Sequence, residues 1–189
     1  MPGKLVIISG PSGTGKTSIV KHLLNSGLNL YFSVSATTRA PRANEKHGTD
    51  YYFLEPEEFK MKVESGEFAE WEEVYESIRY GTLKSEIERI WASGGSVLFD
   101  VDVRGGINLK KMYGNKAMAL FIMPPSIEDL EKRLVLRASE TPEKIRMRVM
   151  KAEAEIKLSN QFDTIIVNKV LDTAKEEVLT MVSSFLSSK

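Results

Sequence analysis

The chain has 189 residues, enough for one compact domain with small inserted lobes, and its 42% hydrophobic content is that of a chain with a sizeable core. Lys plus Arg and Asp plus Glu both number 26, so the basic excess of a nucleic-acid binder is missing and any phosphate site must come from local clustering. No cysteine is present, which excludes disulfides and thiolate metal sites. The apolar run ahead of Ser9 is too short for a signal peptide or a membrane span, so a soluble cytoplasmic chain is expected.

In chain order, Leu5-Val6-Ile7-Ile8 comes first, a continuous apolar run suited to a strand buried on both faces. Gly10-Pro11-Ser12-Gly13-Thr14-Gly15-Lys16-Thr17 follows and fits G-x-x-x-x-G-K-[ST], the P-loop pattern. Ile19, Val20, Leu23 and Leu24 then recur at helical spacing. Glycines in this setting let backbone N–H groups curl around a phosphate at the positive end of a helix. Lys16 is placed to reach the β- and γ-phosphates, and Thr17 to hold Mg²⁺ through its hydroxyl.

Leu30 to Ser35 reads as a second strand, followed by a polar, basic loop from Thr37 to Lys46. Arg39 and Arg42 flank Pro41 in that loop; two guanidinium forks on a rigid turn suit a dianionic monoester phosphate, with Tyr51 adding a hydroxyl. Solvated loop charges are the ordinary alternative. Short β-like pieces at Tyr51–Leu54 and Phe68–Tyr75, around a helix opened near Pro56, break the α/β rhythm and read as an inserted lobe. The rhythm returns with a helix at Ser85–Trp91, a strand at Ser96–Asp102 and another at Ala117–Met123, ended by Pro124-Pro125. Asp100 closes its apolar strand where a Walker-B-type carboxylate sits and would help hold Mg²⁺.

Ser126 and Asp129 form a capping-box-like start to a helical, charged stretch reaching Asn160. Arg133 and Arg137 share a face four residues apart, and surface salt bridging is their bland alternative. Asp163–Asn168 reads as the last core strand, and Ala174, Val178, Met181, Val182, Phe185 and Leu186 line one face of the final helix. A GTPase would carry Asn-Lys-x-Asp, which Asn168-Lys169-Val170-Leu171 does not complete. His22 and His47 have no neighbours that would complete a triad or a metal site.

These pieces taken together resemble the guanylate kinase family over essentially the whole chain. The resemblance rests on Gly10–Thr17, Phe32–Ser35 with Thr37–Arg42, Gly48–Tyr51, Gly66–Trp71, Tyr80-Gly81-Thr82, Asp100-Val101-Asp102, Pro124-Pro125-Ser126 and Ile166-Val167-Asn168. It implies a P-loop α/β fold with a parallel core sheet (1–32, 83–125 and 161–189), a β-rich GMP-binding lobe (33–82) and a helical lid (126–160). It implies transfer of a phosphoryl group from ATP to GMP with Mg²⁺. Gly10 to Ser18, that is Gly10, Pro11, Ser12, Gly13, Thr14, Gly15, Lys16, Thr17 and Ser18, would hold ATP together with Asn168.

By the same resemblance, Arg39, Arg42, Tyr51 and Tyr80 would take the GMP phosphate, with Glu45 beside them. Glu70 and Asp102 would accept from the guanine N1–H and 2-amino group, and Ser35 and Thr82 would donate to O6. Lys16, Arg133, Arg137 and Arg148 would clamp the transferring phosphate, with Thr17 and Asp100 on the metal side. Ala138 stands where glycine is common, and Lys169 where an aspartate is usual. The rivals are a kinase for another monophosphate, which the Glu70/Asp102 pair disfavours, and an interaction module without turnover, which the intact Lys16 and Thr17 disfavour. Oligomeric state and dGMP tolerance stay open at this point.

Overall fold

The structure, a computed structural model, describes residues 3–75, 77–136 and 141–188. In chain order the elements are β1 (Leu5–Ser9), α1 (Lys16–Leu24), β2 (Leu30–Phe32), β3 (Ala36–Thr37), β4 (Tyr52–Phe53), α2 (Pro56–Glu64), β5 (Phe68–Tyr75) and β6 (Ile78–Leu83). They continue with α3 (Lys84–Ala92), β7 (Ser96–Asp100), α4 (Val103–Tyr113), β8 (Ala117–Met123), α5 (Ile127–Leu136), α6 (Pro142–Ile156), β9 (Thr164–Val167) and α7 (Leu171–Ser187).

Five strands form the core sheet in the order β2-β7-β1-β8-β9, and every pairing in it is parallel. Central β1 is buried along its whole length, which is why it reads as an unbroken apolar run. Alternation sends its side chains to two cores. Leu5 and Ile7 join Val97, Phe99, Ala119 and Phe121 beneath α3 and α4. Val6 and Ile8 join Leu98, Leu120 and Ile122 against Ile19 and Leu23 of α1 and Val178 and Val182 of α7. The sheet is thus covered on both faces, and its strand ends open toward the P-loop side.

The two departures from this rhythm fold as separate small cores. The stretch 36–83 makes a four-stranded sheet, β4-β3-β6-β5, in which β3 and β6, and β6 and β5, are antiparallel. Its apolar centre is Ala36, Leu54, Phe59, Phe68 and Leu83, with the Phe59 and Phe68 rings stacked 4.4 Å apart. The α5–α6 pair buries Leu130, Leu134 and Ala152, with Ile145 and Val149 packed against them. At its start, Asp129 N–H donates to Ser126 Oγ at 3.1 Å, the cap that the sequence signals.

Several details differ from the sequence reading, among them the second strand, which ends at Phe32, and the short β3 at Ala36–Thr37 where a loop is expected. The strand after Gly95 stops at Asp100, because Asp102 turns to cap α4. The strand β6 and the helix α4 were not picked out, since each carries glycine where a side chain would not fit. The helix after β6 starts at Lys84 rather than Ser85, within the ordinary scatter of helix ends.

Candidate active site

The P-loop joins the buried end of β1 to α1, whose N-cap is Gly15. Gly10, Gly13 and Gly15 have φ of 138°, 93° and 96°, values that L side chains rarely adopt. A Cβ on Gly10 would lie 2.3 Å from the Ile122 carbonyl, so the loop lies directly on β8. Lys16 Nζ donates to the carbonyls of Gly10 at 2.6 Å and Pro11 at 2.9 Å, folding back over the loop. Thr14 is buried and its hydroxyl donates to Pro11 O, whereas Thr17 and Ser12 are exposed.

A cavity of about 630 Å³ opens beside this loop, between the core and the two added lobes. The P-loop supplies Gly10, Ser12 and Lys16 to its wall. Asp100, Val101 and Asp102 enter from the end of β7. The β-rich lobe contributes Ser35, Arg42, Tyr51, Glu70, Glu72, Tyr80 and Gly81, and α6 contributes Arg148, Lys151 and Glu155. Residues from four distant stretches of sequence therefore meet in one space.

Two carboxylates mark one end. Glu70 is 9% exposed and accepts a 2.7 Å hydrogen bond from the Thr82 hydroxyl. Burial, with the Asp102 charge adding to it, pushes the Glu70 carboxyl up to about 7, against the pull of Thr82. Asp102 accepts from Gly105 N–H at 2.7 Å, so it caps α4 and also faces the cavity. Asp100 is likewise raised by burial, with Lys16 opposing.

At the other side of the lobe, Arg39 does not present a free fork. Its Nη1 and Nη2 donate to Glu45 at 2.8 and 2.9 Å, and its Nε to Tyr80 Oη at 3.3 Å. The Arg39 pair, then the Arg42 backbone N–H, bring the Glu45 carboxyl down to about 2. Arg39 also lies over the Tyr51 ring at 5.2 Å. Arg42, held by this brace at its backbone, is the arginine of the loop that lines the cavity. Arg39, Arg42, Glu45, Tyr51 and Tyr80 thus lie together, with Arg39 and Glu45 paired behind and Arg42, Tyr51 and Tyr80 on the cavity wall.

A second opening of about 440 Å³ lies across the P-loop, lined by Gly13, Gly15, Ser18, Arg133, Leu136, Asn168, Lys169 and Leu171. Asn168 is 2% exposed; its amide donates to Thr14 O at 2.7 Å, and a Cβ on Gly15 would come within 2.5 Å of that amide nitrogen. Arg133 donates to Asn168 O at 2.9 Å, placing it on this side and not in the main cavity. Arg148 donates to Ser12 Oγ. Arg137 and Ala138 lie outside the described residues. Of the two histidines, His47 Nδ1 accepts from Phe53 N–H at 3.2 Å and His22 lies 3.4 Å from Glu176.

Sequence reasoning missed Glu86, 2% exposed, which accepts from Val34 N–H, the Tyr52 hydroxyl and Arg89 where the chain leaves and re-enters the core. It also passed over Glu72, Lys151 and Glu155. On a helix such as α6, a Lys and a Glu four apart look like any solvated pair.

A P-loop facing a second cationic cluster across one cavity, on a five-stranded parallel core, fits a P-loop kinase that transfers a phosphoryl group between two nucleotides. A model of the guanylate kinase family matches residues 2–185. The guanylate kinase of Bacteroides thetaiotaomicron is 50% identical over 189 residues, covering 100% of this chain and 93% of that protein. That of Porphyromonas gingivalis is 51% identical over 185 residues, covering 97% and 98%. The crystal structure of guanylate kinase from Anaplasma phagocytophilum superposes with a TM-score of 0.79 at 30% identity, covering 99% of this chain and 88% of that one. The chain belongs to the guanylate kinase family, enzymes that move a phosphoryl group from ATP to GMP. Among the described residues no helix is long and apolar enough to cross a membrane.

Proposed function

We propose that this chain catalyses ATP + GMP → ADP + GDP in the cytoplasm, with GMP in the 630 Å³ cavity and ATP along the P-loop. One observation carries the assignment of ends: the P-loop and the Arg42–Tyr51–Tyr80 cluster open into the same cavity, whose remaining polar wall holds Glu70 and Asp102. Guanine offers two adjacent donors, N1–H and the 2-amino group, and two carboxylates answer them. Ser35 lines the cavity and is placed to donate to O6. Thr82 serves by fixing Glu70, to which its hydroxyl is already committed.

An oxygen of the GMP phosphate attacks the γ-phosphorus of ATP in line, and the bond to the β-bridging oxygen breaks as ADP leaves. No protein nucleophile takes part. Lys16 and Arg148 neutralise charge on the moving group, and the walls of the cavity hold the two oxygens in line and exclude water. Lys16 exchanges its loop carbonyls for phosphate oxygens as ATP enters.

The exposed hydroxyl of Thr17 and the carboxylate of Asp100 are hard oxygen donors, and they fit a Mg²⁺ that takes its other ligands from phosphate and water. Held by Thr17 and Asp100, Mg²⁺ would supply charge neutralisation for the transferring phosphate. Asn168 and Arg133 border the second opening, on the adenosine side of the P-loop.

The test is base choice. AMP would place its N1 acceptor against a carboxylate and has no 2-amino donor; IMP keeps N1–H and O6 only. The expected order of kcat/KM at fixed ATP is GMP > IMP > AMP, with GMP over AMP by roughly 10⁴, as a site built around donors rejects a ligand lacking them. Equal rates with GMP and AMP would overturn the guanine assignment.

A further inference from the structure

Helix α6 turns three charged side chains toward the main cavity, and only Arg148 has a task in the mechanism above. Lys151 and Glu155 line the same space. Positions 148, 151 and 155 are spaced i, i+3 and i+7, which is one face of a helix. Arg148 marks one end of that face and Glu155 the other. Arg148 donates to Ser12 of the P-loop, and Glu155 lies close enough to Lys16 and Asp102 to feel both charges. Lys151 therefore lies on the cavity wall between Arg148 and Glu155.

The Lys151–Glu155 pair is not an ordinary solvated one. The ammonium lies 3.8 Å from the carboxylate, and the Glu155 side chain is only 15% exposed while that of Lys151 is 42% exposed. Burial raises the Glu155 carboxyl, and Lys151, then Lys16, oppose the rise. A partly buried carboxylate at the cavity wall holds a cation beside it more firmly than a surface glutamate does.

We propose that Lys151 is a further catalytic residue, an ammonium that contacts the transferring phosphoryl group alongside Lys16 and Arg148, and that Glu155 is the residue that positions it. The proposal rests on the phosphoryl-transfer reading. Charge in that transition state spreads over the equatorial oxygens. A lysine suits a group in motion, because its ammonium is a point charge with rotatable donors and not a fixed fork. Lys151 forms no bond to phosphorus and gives up no proton.

The experiment uses the full chain and four variants, Lys151→Met, Lys151→Arg, Glu155→Gln and the Met/Gln double. Initial rates are measured with ATP and GMP. Calorimetry gives the affinity for GMP alone and for an analogue joining adenosine and guanosine through five phosphates. Lys151→Met is expected to lower kcat ~10-fold or more, as removal of a preorganised charge does. It should weaken the analogue by a similar factor while leaving GMP affinity and the melting temperature in place. Lys151→Arg should recover most of the rate. Glu155→Gln should slow the parent but have no added effect in the Lys151→Met background, the mark of residues acting as a unit.

An active parent with kcat unchanged in Lys151→Met overturns the proposal, as does a loss confined to KM. Full additivity of the two substitutions removes Glu155 from its positioning role. A parent that phosphorylates no nucleoside monophosphate overturns the phosphoryl-transfer reading itself, and Lys151 falls with it.

Discussion

Glu70 sits 9% exposed under the Thr82 hydroxyl, and burial with the Asp102 charge carries its pKa to about 7. In the unfolded chain a glutamate titrates near ~4.3. Between those values the folded protein binds the extra proton, so the stability that Glu70 allows is greatest below the unfolded pKa and is lost as pH rises toward 7. Guanine recognition runs the other way, because N1–H and the 2-amino group need the ionised carboxylate. Binding of GMP near neutrality should therefore expel a proton, and KM for GMP should fall as pH rises from about 6 to 8 and then level off. Glu70→Gln should flatten that profile and weaken GMP by roughly 10- to 100-fold, as loss of a charged hydrogen bond does. The same variant should be more stable than the parent at pH 8, by on the order of 2 kcal/mol. Steady-state rates across pH with saturating ATP, beside melting curves at pH 6 and 8, check both halves. A flat KM profile in the parent would remove Glu70 from base recognition.

Helix α4 shows how one element serves packing and site together. Asp102 caps it through Gly105 N–H and faces the cavity with the same carboxylate. Two substitutions separate the roles, since asparagine caps as well as aspartate and alanine does not. Asp102→Asn should melt within a degree or so of the parent, whereas Asp102→Ala should lose ~1 kcal/mol, or about 2–4 °C in a chain of this size. Both should lose much of the preference for GMP over AMP. An Asp102→Asn enzyme that keeps the full preference would leave Asp102 a cap alone. The same helix shows where sequence stops being legible. Strands β1 and β8 are visible because two-sided burial demands unbroken apolar runs. Gly105 and Gly106 hide α4, since a Cβ at the first would meet Glu70 Oε2 at 2.7 Å and at the second the Phe162 ring at 3.2 Å. Gly81 hides β6 in the same way, its missing side chain making room for Phe68 at 2.7 Å. The site residues were readable as types at a spacing. The brace of Arg39 on Glu45, and the cavity-facing stripe of α6, depend on which partner each charge meets, and spacing does not encode that.

At the scale of the molecule, three apolar units sit on different parts of the chain: the two-sided core, the Phe59–Phe68 cluster of the β-rich lobe and the Leu130–Leu134–Ala152 cluster of α5 and α6. Each lobe holds itself together, so each can move as a body without tearing its own packing. Movement is constrained where the lobes touch the core. A Cβ on Gly13 would meet Leu130 and Leu134 at 3.0 Å, so α5 rests against the P-loop. Glu86 ties Val34 N–H and the Tyr52 hydroxyl to α3, pinning the root of the β-rich lobe. The free travel then lies beyond those points, chiefly in the far side of the lobe that carries Arg42, since Arg148 ties α6 to Ser12 of the P-loop. Arg42, Arg148 and Lys151 line one cavity with Lys16, and negative charge placed among them would draw its walls together. Binding of both nucleotides supplies that negative charge. The bisubstrate analogue should therefore lower the radius of gyration seen by small-angle scattering, and GMP alone should lower it less, because it draws in only the β-rich lobe. Added salt should narrow the difference between free and bound forms by screening the attraction between these cations and the phosphates. A radius unchanged by the analogue would mean that the cavity is already closed to its working shape, with the lobes fixed in place rather than mobile.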